Sequence, residues 1–166
     1  MFSKSKERLI EKQAIGRLQT DLFPRTSVLT PNIPEAEILT GIAIENTGDM
    51  KKAAELLLRQ GPKSVLIKGG HMPPQRGDTN APQITDLLAT ESEMFLLPQP
   101  YLKTAHTHGT GCTMASAIAT GLAQKMPLLD AVKRAQQYVF HAIRTAPGLG
   151  GGHGPLNHSW VLDNGS

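Results

Sequence analysis

The feature that most constrains the fold is a strand, helix, strand succession between residues 26 and 68. Residues 26–30 (T-S-V-L-T) form a short β-branched and apolar run closed by Pro31, which reads as a buried strand. Residues 64–68 (S-V-L-I-K) form a second such run, followed at once by Gly69 and Gly70. Between the two lie two helical patterns. The first has Pro34 in its opening turn and stops at Gly41. In the second, Met50, Ala53, Ala54, Leu57 and Leu58 share one face, with Asp49 as the cap and Gly61-Pro62 as the stop. The spacing is that of a parallel crossover unit, so the class is α/β.

The rest of the chain can be laid around that unit. Ile10, Ala14, Ile15, Leu18 and Leu22 recur at helical spacing over residues 7–22, and Pro24 ends the pattern. Residues 72–82 hold three prolines and read as an exposed loop. Residues 83–88 and 93–97 read as two strands joined by a polar turn, a hairpin expected at the edge of a mostly parallel sheet. Two helices follow. That over 112–125 is dense in small residues and carries a Met114, Ile118, Leu122 stripe. That over 128–145 repeats the stripe through Val132, Ala135, Val139 and Ile143. We find no internal repeat and no second domain boundary in the 166 residues, so one domain is expected.

Composition narrows the function classes. With 39% hydrophobic and 19% charged residues, and no apolar run near the roughly 20 residues of a membrane span, no membrane association is expected. The first residues are charged and lack an apolar stretch, and a single cysteine cannot make an internal disulfide; a cytoplasmic address is the expectation. The net charge of +3 comes from scattered residues with no basic stripe and no interleaved aromatics. That favours small anionic ligands weakly and gives no case for nucleic acid.

The chemistry concentrates at T-H-G-T-G-C-T, residues 107–113. Glycines on either side of Thr110 let successive backbone N–H groups turn toward one point, and the following helix adds unpaired N–H groups and the positive end of its dipole. Such a turn holds a phosphate or a phosphoryl group in flight. Read without more context, Gly-x-Gly is a plain tight turn, and a lone cysteine a small buried hydrophobe. At the first turn of a helix, however, the dipole favours thiolate over thiol, which would equip Cys112 as a base or nucleophile. Lys68, at a strand end before two glycines, is placed to reach a phosphate as a flexible point charge, or is an ordinary surface lysine. Asn32 and Glu35 follow the first strand, where a carboxylate and an amide can hold water-bound Mg²⁺; the plainer reading of Glu35 is a solvated first-turn residue. The histidines make no i, i+4 pair and have no second thiol beside them, so a structural zinc site is not expected.

Four runs then resemble one family in order and separation. T-H-G-T-G-C-T is similar to the signature of hydroxymethylpyrimidine phosphate kinase, the thiamin-pathway member of the ribokinase-like superfamily. T-P-N-I-P-E (30–35) resembles its T-P-N-x-x-E element, V-L-I-K-G-G-H (65–71) its V-L-x-K-G-G-H, and G-H-G-P-L-N-H (152–158) its G-H-G-P-x-N-H. The resemblance implies a three-layer αβα fold with a mostly parallel sheet and phosphoryl transfer from ATP, with Mg²⁺, to a pyrimidine alcohol and then to its monophosphate. It implies that Gly109, Thr110 and Gly111 form the anion hole and that Cys112 stands where most ribokinase relatives have an aspartate base. It further implies that Asn32, Lys68, Gly69, His71, His153 and Asn157 line the nucleotide side, with Glu35 and Asn32 toward the metal.

The same resemblance covers the family's C-terminal part. Family members open with a strand and a G-S-D-x-x-G-G-A-G-x-Q-A-D segment that binds the pyrimidine, which these residues lack, and M-F-S-K-S-K at residues 1–6 is similar to their mid-chain M-V-A-K-S-G. An incomplete kinase domain without its substrate-binding half is the expectation, with a raw sheet edge. Its partners would be a small pyrimidine, a second copy of the chain, or the missing half. Two alternatives stay open: a pyridoxal-type kinase of the same superfamily, and a non-catalytic nucleotide-binding remnant.

Overall fold

Residues 12–76, 81–149 and 152–163 are described by the structure, a computed structural model. The chain divides into two units, Met1–Pro100 and Tyr101–Ser166, which we take in turn.

In the first unit, helix α1 (Lys12–Arg17) runs on through a π-helical turn, Leu18–Leu22, and a 3₁₀ turn, Phe23–Arg25. The expected start of this helix near residue 7 lies outside the described residues; within them the pattern stops at Pro24 as expected, and the neighbouring Phe23 is fully buried. Residues 26–30 make only isolated parallel bridges to the second run, Leu29 to Val65 and Asn32 to Lys68, rather than a full strand. The N–H of Leu29 donates to Ser64 O (2.9 Å), that of Leu66 to Leu29 O (2.7 Å) and that of Lys68 to Pro31 O (2.9 Å). Pro31 has no N–H to give and the chain turns into a helix two residues later, so the ladder cannot lengthen.

Helix α2 (Ile33–Thr40) starts on an Asn32 cap with Pro34 in its first turn and ends at Gly41 in the left-handed region (φ 75°). Helix α3 (Thr47–Arg59) is capped by Asn46 and not by Asp49: Asn46 Oδ1 accepts the Asp49 N–H at 3.0 Å. Asp49 sits in the first turn, where its carboxylate meets Lys52 Nζ at 3.1 Å. Met50, Ala53, Ala54 and Leu57 face inward as the pattern requires.

Four strands follow: β1 (Ser64–Ile67), β2 (Gln75–Arg76), β3 (Pro82–Thr90) and β4 (Met94–Pro100). Their order is β1-β3-β2, with β4 also on β3, and every pairing between these strands is antiparallel. This corrects the expected mostly parallel sheet within the described residues. Parallel neighbours need a long crossover, whereas among the described residues no helix lies between β1, ending at Ile67, and β3, starting at Pro82. The crossover signal is real but short, surviving as the two bridges into β1 and Lys68. The β3–β4 hairpin forms as expected, with Leu87 opposite Leu96, but β3 is central rather than marginal because Ile67 pairs with Leu87 on its other side. Within the predicted loop, residues 77–80 lie outside the described set. Phe23, Met50, Leu57, Val65, Ile67 and Leu87 form the heart of this unit's core, α3 lying against β1 and β3.

The second unit is a helical pair. Helix α4 (Thr110–Ala123) begins two residues ahead of the expected start, and α5 (Leu128–Arg144) packs along it. Met114 and Ile118 from α4 and Ala131, Val132, Ala135 and Val139 from α5 are buried. A one-turn helix, α6 (Trp160–Asp163), follows the tail, with the Trp160 ring stacked on His141 at 4.6 Å. Among the described residues no helix is long and apolar enough to cross a membrane.

Candidate functional site

In the first unit, four of the candidate residues meet at one junction. Asn32 and Glu35 form a reciprocal capping box: Glu35 N–H donates to Asn32 Oδ1 and Asn32 N–H to Glu35 Oε2, both at 2.9 Å. Such a box satisfies two N–H groups that a helix start otherwise leaves open. Lys68 is half-buried beside Asn32 through the parallel bridge. Gly69 N–H donates to Asp86 Oδ1 at 2.8 Å, and Met72 N–H returns to Gly69 O at 2.9 Å, closing the turn on which exposed His71 stands. Burial pushes the Glu35 carboxyl up, but hydrogen bonding, including the Asn32 N–H, and neighbouring positive charge, including Lys68, bring it below its ordinary value.

In the second unit the Gly-rich turn is built differently. Gly109 is the residue before α4 and adopts φ 88°, ψ −5°, a left-handed conformation that glycine reaches without Cβ strain. It has no side chain to cap the helix. Thr110 N–H makes a long contact with Thr107 O (3.5 Å), and Thr113 N–H is the first to bond back, to Gly109 O at 2.9 Å. The N–H groups of Gly111 and Cys112 have no partner among the described residues. Cys112 is exposed in that first turn. Open N–H groups at the positive end of a 14-residue helix are chemically able to accept an anion.

The tail motif lies against this turn. His153 Nδ1–H donates to Ala105 O at 2.9 Å, and His108 and Pro155 form a parallel bridge. Asn157 N–H donates to Ala142 O on α5 (3.0 Å), and Tyr138 Oη–H to His158 O (3.0 Å). Beside Cys112 opens a groove of about 620 Å³, lined by Ser116 and Thr120 of α4, Arg134 and Tyr138 of α5, and His158. Arg134 Nη1 is tied to Gln124 Oε1 at 2.8 Å along one wall.

Thus Gly109, Thr110, Gly111, Cys112, His153 and Asn157 belong to the second unit, while Asn32, Glu35, Lys68, Gly69 and His71 belong to the first. Among the described residues no three His, Cys, Asp or Glu side chains gather as a ligand set, so the Asn32–Glu35 junction offers one carboxylate and an amide. Sequence reasoning missed Asp86, Arg134, Tyr138 and the groove side of His158. The signal for Asp86 was a lone carboxylate inside the apolar run I-T-D-L-L; it is 5% exposed. The signal for the pair on α5 was the i, i+4 spacing of Arg134 and Tyr138, two polar side chains on one face.

The family model described as phosphomethylpyrimidine kinase matches residues 1–157. The hydroxymethylpyrimidine/phosphomethylpyrimidine kinase of Bacillus subtilis is 41% identical over 158 residues, covering 95% of this chain and 56% of that protein. Among solved structures, the ADP complex of Bacillus subtilis pyridoxal kinase aligns with a TM-score of 0.84 at 27% identity, over 94% of this chain and 58% of the other. The phosphomethylpyrimidine kinase of Clostridium difficile aligns with a TM-score of 0.68 at 36% identity, over 86% and 54%. The chain therefore spans a little over half the length of these relatives. On this match over nearly its whole length, the chain belongs to the phosphomethylpyrimidine kinase family.

Proposed function

We propose that this chain supplies the C-terminal portion of a single ribokinase-like kinase domain, cytoplasmic and layered αβα around a sheet that is mostly parallel in the whole fold. That domain phosphorylates hydroxymethylpyrimidine and its monophosphate from ATP for thiamin diphosphate synthesis. The observation that carries the reading is the uncapped start of α4, where the Gly111 and Cys112 N–H groups lack partners among the described residues. A terminal phosphate fits that donor set.

Cys112 takes the proton from the substrate hydroxyl as its oxygen bonds to the γ-phosphorus and the bond to the ADP oxygen breaks. Gly109, Thr110 and Gly111 hold the charge that spreads over the transferring group. Lys68, Gly69, His71, Asn32, His153 and Asn157 contact the nucleotide. Mg²⁺, when bound, would neutralise phosphate charge, and the Glu35 carboxylate with the Asn32 amide would hold it through its waters. Both side chains must be shared with the α2 capping box. Pyrimidine contacts come from residues beyond these 166, supplied by the other half of the domain or across a contact between copies.

Calorimetry of the chain with Mg-ATP tests the first half of the proposal: binding heat and a thermal shift are expected, and neither appearing up to millimolar nucleotide would leave a non-catalytic remnant. The likeness in fold to Bacillus subtilis pyridoxal kinase supports a second reading, a pyridoxal-type kinase. With the chain joined to the N-terminal half of the domain, a paired assay should give faster turnover on hydroxymethylpyrimidine; faster turnover on pyridoxal would transfer the assignment.

A further inference from the structure

We propose that residues 152–158 are a strut that sets the conformation of the 107–112 turn, with His153 and Gly154 as its positioning residues. This rests on the reading above only in taking that turn as the anion site.

A turn rich in glycine loses much entropy when it is fixed, and this one has few bonds of its own. Thr107 N–H reaches Ala105 O at 2.9 Å, Thr110 Oγ1 reaches Thr107 O at 3.1 Å, and α4 starts without a side-chain cap. The constraint arrives instead from 48 residues downstream. The His153 imidazole grips Ala105 O, Pro155 bridges His108, and buried Leu156 (5% exposed) anchors the segment. At Gly154 a Cβ would run into the His106 ring and into Leu149 O, so the segment lies against the turn as closely as a backbone can. His106 Nδ1 is buried there without a partner among the described residues, a cost that a loosely packed histidine would relieve by reaching water. Behind the strut, Asn157 N–H on Ala142 O and Tyr138 Oη–H on His158 O fasten it to α5. The motif G-H-G-P therefore acts through the turn, in addition to any contact with nucleotide.

Cys112 is the chain's single thiol, so its alkylation reports the turn directly and needs no nucleotide. The chain is treated with iodoacetamide at a temperature where circular dichroism shows every variant folded. For His153→Ala and Gly154→Ala the alkylation rate should change by about threefold or more, while His153→Asn, which keeps an N–H near Ala105 O, should stay within about twofold of wild type. Ile118→Val, a core change on the same helix, should lower the melting temperature without moving the rate. Wild-type rates in folded His153→Ala and Gly154→Ala, or an equal rate change in Ile118→Val, would overturn the strut. A chain that fails to bind Mg-ATP but shows the altered thiol rates would sink the nucleotide reading and leave the strut standing.

Discussion

Helices α2 and α4 each follow a family motif, yet their N-termini are finished in opposite ways. At α2 the Asn32 and Glu35 side chains close a capping box, so the Asn32 and Glu35 N–H groups are bonded within the motif. At α4 the capping position is Gly109, and the Gly111 and Cys112 N–H groups are without partners among the described residues. A capped start contributes about 1 kcal/mol to stability, and an uncapped one forgoes that in return for a place to hold an anion. On the proposed function, the α4 start is the one whose backbone donors are left for phosphate, while the α2 start is first of all a helix cap. The difference also shows how each is held in place, by local side-chain bonds in the first unit and by a distant backbone segment in the second.

The comparison can be strained first at Asp86, the buried carboxylate that accepts the Gly69 N–H. Asp86→Ala leaves that donor buried and unsatisfied, and should cost about 3 kcal/mol in urea unfolding. Next, Gly109→Ala meets no neighbouring atom but must hold a positive φ, so a loss of about 1–2 kcal/mol is expected from backbone strain alone. Its affinity for inorganic triphosphate should fall as well, because the turn would relax. Asn32→Ala removes the cap of α2 and should cost about 1 kcal/mol by thermal melts. Triphosphate binding without Mg²⁺ should fall less than in Gly109→Ala, and a matching loss would erase the distinction between the two helix starts. Smallest in stability is Cys112→Ser, an exposed replacement expected within about 0.5 kcal/mol of wild type. Triphosphate binding should survive it, since the donors are backbone N–H groups. In the rejoined kinase domain its kcat should fall, and unchanged turnover would remove the thiol from the proton transfer.

Local signals in the sequence carried through to the structure. Pro34 and Gly41 bound α2, the Met50 to Leu57 face of α3 is buried, and the turn between β3 and β4 is where the polar residues stood. The cap of α3 was misplaced by three residues because Asn46 and Asp49 are both good capping residues and only geometry chooses between them. Strand neighbours were not legible: the apolar run at residues 64–68 looks the same whether its partner is parallel or antiparallel, and its main partner proved to be the later strand β3. Residues 26–30 carry a strand's composition yet make only bridges, since Pro31 interrupts the ladder. For the site, the Gly109 turn could be read from residue type, whereas the grip of His153 on Ala105 could not. No local pattern encodes a contact over that separation.

The central claim is that the uncapped start of α4, and not the capped start of α2, is where the phosphates seat. Titrating inorganic triphosphate, without Mg²⁺, into the ¹⁵N-labelled chain and following amide shifts tests it most directly. The account predicts that the Gly111 and Cys112 amides move most and saturate together, while the Glu35 amide, already bonded to Asn32, moves little. Shifts led by the Glu35 and Asn32 amides, with Gly111 and Cys112 unmoved at millimolar triphosphate, would contradict it.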